Sequence, residues 1–154
     1  MDVKLYREYK FKFYLNASHY IIINGKQGQT HPHTWEFMVC IMKNNDKFVQ
    51  FNEFERAIES YFEKYQNRVM NEMEPFDVIV PTLENMADYF VGEIRDIVRK
   101  IGGELIMMES SETPTRSYIL GYQDDMEFIR AMERNSKETI DFIIESVVDG
   151  IIDR

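Results

Sequence analysis

His19, His31 and His33 are the only histidines among 154 residues, and they lie within fifteen positions of one another. His31 and His33 are separated by one residue. On an extended strand, two rises of about 3.3 Å each put both rings on one face, about 7 Å apart. At that spacing both imidazoles can reach one metal ion at about 2.0 Å. His19 could complete a set of three nitrogens and leave one coordination position open, as catalytic or substrate-binding zinc sites do. Three neutral nitrogens suit zinc, and copper, iron and nickel are compatible with the same set. Two half-buried rings on a strand, with no ion between them, are the plain alternative.

The elements that must position these rings follow from hydrophobic periodicity. Residues 4–15 alternate near their end, with Phe11, Phe13 and Leu15 on one face and Lys10, Lys12 and Tyr14 on the other, which predicts a half-buried strand. Residues 16–30, with Asn24, Gly25 and Gly28, read as a long surface loop, a class of segment that often carries function. From His31 to Met42 a second strand puts His31, His33, Trp35, Phe37, Val39 and Ile41 on one face, with Pro32 tolerable near its start. Cys40 then points to the opposite face, as a buried structural thiol.

From Asn52, a plausible N-cap, Phe54, Ile58, Tyr61, Phe62, Tyr65 and Val69 recur at helical spacing, so a helix should run until near Asn71. The segment Pro81-Thr82-Leu83-Glu84-Asn85 announces a second helix, with Thr82 as cap and Glu84 at the positive end of the dipole. Its core stripe is Met86, Ala87, Phe90, Ile94, Ile97 and Ile101, and Gly102-Gly103 end it. Glu104 to Glu109 and Ser117 to Tyr122 read as two short strands around the turn-rich 110–115. A tail carrying Phe128, Ile129, Met132, Ile140, Ile143, Ile144, Val147, Val148 and Ile151 reads as two helical pieces, with Ser136 a cap between them.

Composition limits the classes of function. The length suits one domain, residues 1–154. A content of 44% hydrophobic and 14% aromatic residues is enough for a core and excludes disorder. Twenty-seven acidic against 18 basic residues give a net charge of −9, which argues against nucleic acid as a partner. The apolar runs are too short for a membrane span, and MDVKLYREYK has no hydrophobic leader, so the expected location is cytoplasmic with no membrane partner. A single cysteine fits a reducing compartment.

Ala17-Ser18-His19, then His31-Pro32-His33 opening a strand, Pro81-Thr82-Leu83-Glu84-Asn85 opening a helix, and Glu109 closing a strand resemble the 6-pyruvoyltetrahydropterin and 6-carboxytetrahydropterin synthase family over about residues 5–121. The order of elements is similar to that family's tunnelling fold. That fold is an α+β arrangement in which a four-stranded antiparallel sheet carries two antiparallel helices on one face. Here a C-terminal helical extension, about 126–154, would lie beyond it. The resemblance implies that His19, His31 and His33 hold Zn2+ and that Glu109 grips a pterin, one carboxylate accepting both the exocyclic amine and the adjacent ring N–H. It makes Thr82 a secondary candidate for the pterin pocket. It also implies a homo-oligomer, a trimer or hexamer, built edge to edge.

Three positions depart from the family's pattern. Gln27 stands where its synthases carry a general-base cysteine, and Gln66 and Asn67 stand where they carry an aspartate–histidine pair. An amide neither takes up nor releases a proton near neutral pH. Tyr20 and Lys26 are the only ionisable groups between positions 20 and 30, and neither is a good base unless its pKa is lowered. Asp77 or Glu112 of a neighbouring subunit could serve instead. Three readings follow: a zinc-dependent lyase acting on a 7,8-dihydroneopterin triphosphate-like substrate, a divergent enzyme using metal-bound hydroxide on a pterin or purine-derived compound, and a noncatalytic pterin-binding protein.

Overall fold

The computed structural model describes residues 5–43, 50–136 and 144. Four strands form one antiparallel sheet in the order β1-β4-β5-β6: β1 Tyr9–His19, β4 His31–Lys43, β5 Gly103–Thr113 and β6 Arg116–Gly121. A small hairpin, β2 Ile22–Ile23 and β3 Lys26–Gln27, links β1 to β4. Helices α1 Phe51–Glu63 and α2 Leu83–Ile101 follow β4, and a third helix, α3, runs over 126–136. This is the four-stranded α+β arrangement expected above.

The sheet's buried face follows the two-residue period. Leu15, Trp35, Phe37, Val39, Ile41, Leu105 and Met108 are sealed against Phe54, Ile58 and Phe62 of α1 and Met86, Phe90, Ile94 and Val98 of α2. Phe90 sits among the rings of Phe37, Tyr61, Phe62, Tyr65 and Phe76, with centroids 5.3–5.9 Å away. The closeness of α2 to the sheet depends on Gly103, since a Cβ there would lie 2.8 Å from the Phe54 ring and 2.9 Å from Val98. Val98 is fully buried, whereas Ile97 and Ile101 of the expected stripe pack at the rim. Cys40 is buried on the other face, and burial pushes its thiol pKa up.

Several boundaries differ from expectation. β1 does not stop at Leu15. Ala17 and His19 continue the buried phase, and His19 pairs with His31 across the ladder. The N-cap of α1 is Gln50, without a side-chain bond, so Asn52 is helical and not a cap. The helix ends at Glu63, because Asn67 turns into the left-handed region at φ 61° and the chain docks on the free edge of β1. There Asn67 donates its N–H to the Asn16 carbonyl at 2.6 Å, and Ser18 donates to the Arg68 carbonyl at 2.8 Å. Tyr65 still reaches the core, which explains why helical spacing persisted past the helix. The strand read as Glu104 to Glu109 runs on to Thr113, so Glu109 lies within it and does not close it. Thr82 does cap α2, accepting from Asn85 N–H at 3.1 Å, and Gly102 ends it at φ 102°.

The start of α3 is tied to α2, since Asp125 and Glu127 pair with Arg95 and Arg99. Its Phe128 and Ala131 cover Met42, which alternation puts on the sheet face turned away from α1 and α2. Asn135 then accepts the Arg7 N–H at 3.1 Å, just before β1. The helix therefore crosses one end of the sheet from β6 to β1. Ser136 is itself helical, and the second helical piece expected after it lies outside the described residues. The stripe of Ile140, Ile143, Val147, Val148 and Ile151 lies outside the described residues, and Ile144 is exposed. No helix among the described residues is long and apolar enough to cross a membrane.

Candidate functional site

The register of β1 against β4 builds the site. It sets His19 opposite His31 and Ala17 opposite His33, so the three rings share one face at the end of the sheet where the β2–β3 hairpin connects β1 to β4. Trp35, two residues further along the same face and fully buried, forms the floor, with its ring 4.9 Å from His19 and 5.2 Å from His33. The ligand-capable atoms of the three histidines all lie within 4.8 Å of one another.

Backbone carbonyls fix how two of the rings present their nitrogens. His19 Nδ1 is 2.7 Å from the Pro81 carbonyl, and His31 Nδ1 is 2.9 Å from the Gln29 carbonyl. A carbonyl can only accept, so each Nδ1 carries the proton and each neutral ring turns a bare Nε2 outward. Those two Nε2 atoms face each other at 2.9 Å. Two lone pairs at that distance repel unless a cation lies between them. Ligand atoms bound to one zinc at about 2.0–2.1 Å with tetrahedral angles sit about 3.3 Å apart, so this pair needs only a few tenths of an ångström of adjustment, and the third nitrogen, with the whole set inside 4.8 Å, up to about 1.5 Å. The donor set therefore fits a metal ion. Carbonyl partners on the outer nitrogens are also the usual way in which histidine ligands are oriented.

His19 is 2% exposed, and burial lowers its pKa from 6.5, reinforced by His31 and His33 and opposed by the Pro81 bond and Glu112. It is thus kept neutral, as a ligand must be. Pro81 is itself held by the start of α2, where Thr82 caps the helix and Asn85 Nδ2 donates to the Val80 carbonyl at 2.8 Å. Thr82 thus adjoins, through the backbone, the carbonyl that His19 contacts.

Glu112, which sequence reasoning left unplaced, adjoins the triad. Its Oε1 accepts the Trp35 indole N–H at 2.9 Å and lies 4.0 Å from His19 Nε2. Sequence reading ended this strand at Glu109 and took 110–115 as a turn, so Glu112 was never set on the phase it shares with Met108 and Ser110. Glu109 is turned the other way. Met108 and Ser110 on either side of it are buried in the core face, while Glu109 lines a cavity of about 210 Å³ on the opposite face with Lys10, Lys12, Glu36, Met38 and Ser111.

The three amide positions fare differently. Gln27 is exposed on β3. Gln66 accepts the Asn16 N–H and donates to the Tyr14 carbonyl, both at 2.8 Å, so its side chain closes the free edge of β1. Asn67 lines a cleft of about 420 Å³ that also reaches His33, Asn16 and Ser18.

Comparison with known proteins agrees with this geometry. The sequence pattern of the family described as 6-pyruvoyl tetrahydropterin synthase matches residues 8–122. No curated protein matches the chain. Among solved structures, the 6-pyruvoyl tetrahydropterin synthase of Caenorhabditis elegans superposes with a TM-score of 0.63 at 14% identity, over 79% of this chain and 99% of that one. The Plasmodium falciparum 6-pyruvoyl tetrahydropterin synthase gives 0.54 at 13% identity, over 75% and 97%. An uncharacterized protein of Wolinella succinogenes gives 0.56 at 12% identity, over 76% and 98%. The fold is thus the tunnelling fold of those structures, with α3 added across the sheet. The sequence match spans β1 to β6 and takes in every histidine of the triad, and on that ground the chain belongs to the 6-pyruvoyl tetrahydropterin synthase family.

Proposed function

We propose that this chain is a pterin-processing protein that holds zinc through His19, His31 and His33 and acts on a reduced pterin of the 7,8-dihydroneopterin type, working as a homo-oligomer in the cytoplasm. The observation that carries the reading is the pair of bare Nε2 atoms, 2.9 Å apart, with both Nδ1 atoms bound to carbonyls. When bound there, zinc supplies Lewis acidity toward an oxygen of the pterin side chain.

The remaining roles fall to this chain's own groups. Glu112 can accept two adjacent donors of a pterin ring, the exocyclic amine and the ring N–H, in a charge-assisted pair. Trp35 holds the carboxylate by one oxygen and leaves the other open to a ligand. Glu109 faces away and could grip a pterin only in another subunit's site. Pro81 and Gln29 keep the ring nitrogens aimed. Gln27, Gln66 and Asn67 bring no titratable proton, so an aspartate–histidine relay has no part in the chemistry proposed.

The test is to strip the purified chain with a chelator, reload it with zinc, and titrate each form with reduced pterin while analysing products. Tight binding by the zinc form alone supports the reading, and turnover makes it a lyase. Glu112→Gln should lose pterin binding with its metal intact. Equal binding by the stripped form contradicts it, and binding without turnover leaves ligand holding as the function.

A further inference from the structure

We infer that the three histidines do not hold their ion alike: His19 and His31 form a fixed pair that captures it, and His33 is a movable arm that closes on it afterwards. The inference rests on the zinc reading above and deepens it by giving each ring its own part.

Restraint differs from ring to ring. His19 is tied through Nδ1 to the Pro81 carbonyl at 2.7 Å, and His31 through Nδ1 to the Gln29 carbonyl at 2.9 Å. Neither ring nitrogen of His33 makes a hydrogen bond among the described residues. Its cross-strand neighbour gives it no support either. His19 and His31 face each other across the ladder, whereas His33 faces Ala17, whose single methyl leaves an imidazole room to turn. His33 also borders open space, since it lines the cleft of about 420 Å³ with Asn16, Ser18, Thr34 and Asn67.

Position matches restraint. The Nε2 atoms of the two tied rings already stand 2.9 Å apart, close to the spacing that one zinc imposes. The ligand atoms of the whole set span up to 4.8 Å, so the longer closure, up to about 1.5 Å, falls to His33. The ring that has to travel is thus the ring that no hydrogen bond holds. Ligands aimed in advance by outer partners meet the ion without further ordering. A ring that becomes ordered only when the ion binds loses rotamer freedom at that moment, and the loss is subtracted from what it adds to affinity. His33 therefore contributes less to holding the ion than either of the other two, and it is the arm that yields first to a competing ligand.

The experiment uses the full chain, stripped with a chelator, and zinc as the only probe. Nitrogen NMR of the isotope-labelled, metal-free wild type near neutral pH reads the tautomer of each ring. His19 and His31 should each show one form, with the proton on Nδ1, and His33 a mixture of two that zinc converts to one. Competition with a chromophoric chelator then ranks the variants. Because lost orientation around a metal ligand typically changes affinity by about 10–100-fold, His33→Ala should keep a zinc dissociation constant at least about tenfold lower than that of His31→Ala or His19→Ala. A His33 ring already fixed in one tautomer before zinc is added, or a His33→Ala chain that loses zinc as completely as His31→Ala, overturns the inference and leaves the zinc reading in place. A wild-type chain that takes up no zinc overturns both.

Discussion

Trp35 and Glu112 are joined by a 2.9 Å hydrogen bond although 77 residues separate them, and the same carboxylate oxygen stands 4.0 Å from His19. The contact ties the strand that carries two of the histidines to the hairpin that carries the acid. Hydrogen bonds to charged groups contribute about 1.5–3 kcal/mol. Trp35→Phe keeps an aromatic floor and removes the donor. It should weaken binding of reduced pterin by about tenfold or more with metal content unchanged, as read by fluorescence titration beside metal analysis. Unaltered affinity would remove Glu112 from the site.

The capping of α2 should be felt at the metal. Thr82→Ala removes an N-cap bond, at a cost of about 1 kcal/mol of stability. Because Pro81 adjoins the cap and orients His19, the same change should also raise the dissociation constant for zinc. Competition with a chromophoric chelator checks this. A variant less stable but with normal zinc affinity would confine Thr82 to the helix.

Restoring the family's acid–base pair should not restore its chemistry. In Gln66→Asp with Asn67→His, the shorter carboxylate cannot donate to the Tyr14 carbonyl, so the β1 edge loses one or both of its bonds. Urea unfolding should show a loss of about 1–2 kcal/mol, with no new turnover of reduced pterin. New activity at unchanged stability would show that the edge role is dispensable.

Much of this was legible in the sequence where one pattern dominated. The His31–Met42 alternation put Trp35 on the histidine face, and Pro81 to Asn85 announced both helix and cap. The rest was hidden by local irregularities. β1 seemed to end at Leu15 because Asn16 and Ser18 have the composition of a loop, although Ala17 and His19 keep the phase. Glu112 was hidden because Ser110 to Thr115 have the composition of a turn, although β5 runs on to Thr113 and Glu112 keeps the phase of Met108 and Ser110. Gln66 and Asn67 appeared only as missing catalytic groups, since a side chain that pairs with a strand edge leaves no periodic trace.

Acid should weaken the metal-free protein through His19. Burial holds its folded pKa below 6.5, so on acidification the unfolded chain takes up the proton first. The stability tied to a neutral His19 is complete above pH 6.5. It declines as pH falls below that value, and the decline stops once the folded ring titrates as well. Urea midpoints of chelated protein should be lower at pH 5.5 than at 7.5, and His19→Asn should show a smaller difference. Midpoints that rise on acidification would mean that the ring is already charged in the fold.

The most direct test is the metal content of the purified protein and of its His31→Ala variant, measured by elemental analysis with a cobalt-substituted sample for coordination geometry. About one zinc per chain, a tetrahedral cobalt spectrum, and loss of both in a still-folded variant are predicted. A wild-type chain that stays metal-free after incubation with zinc, or a variant that binds it equally well, would contradict the account.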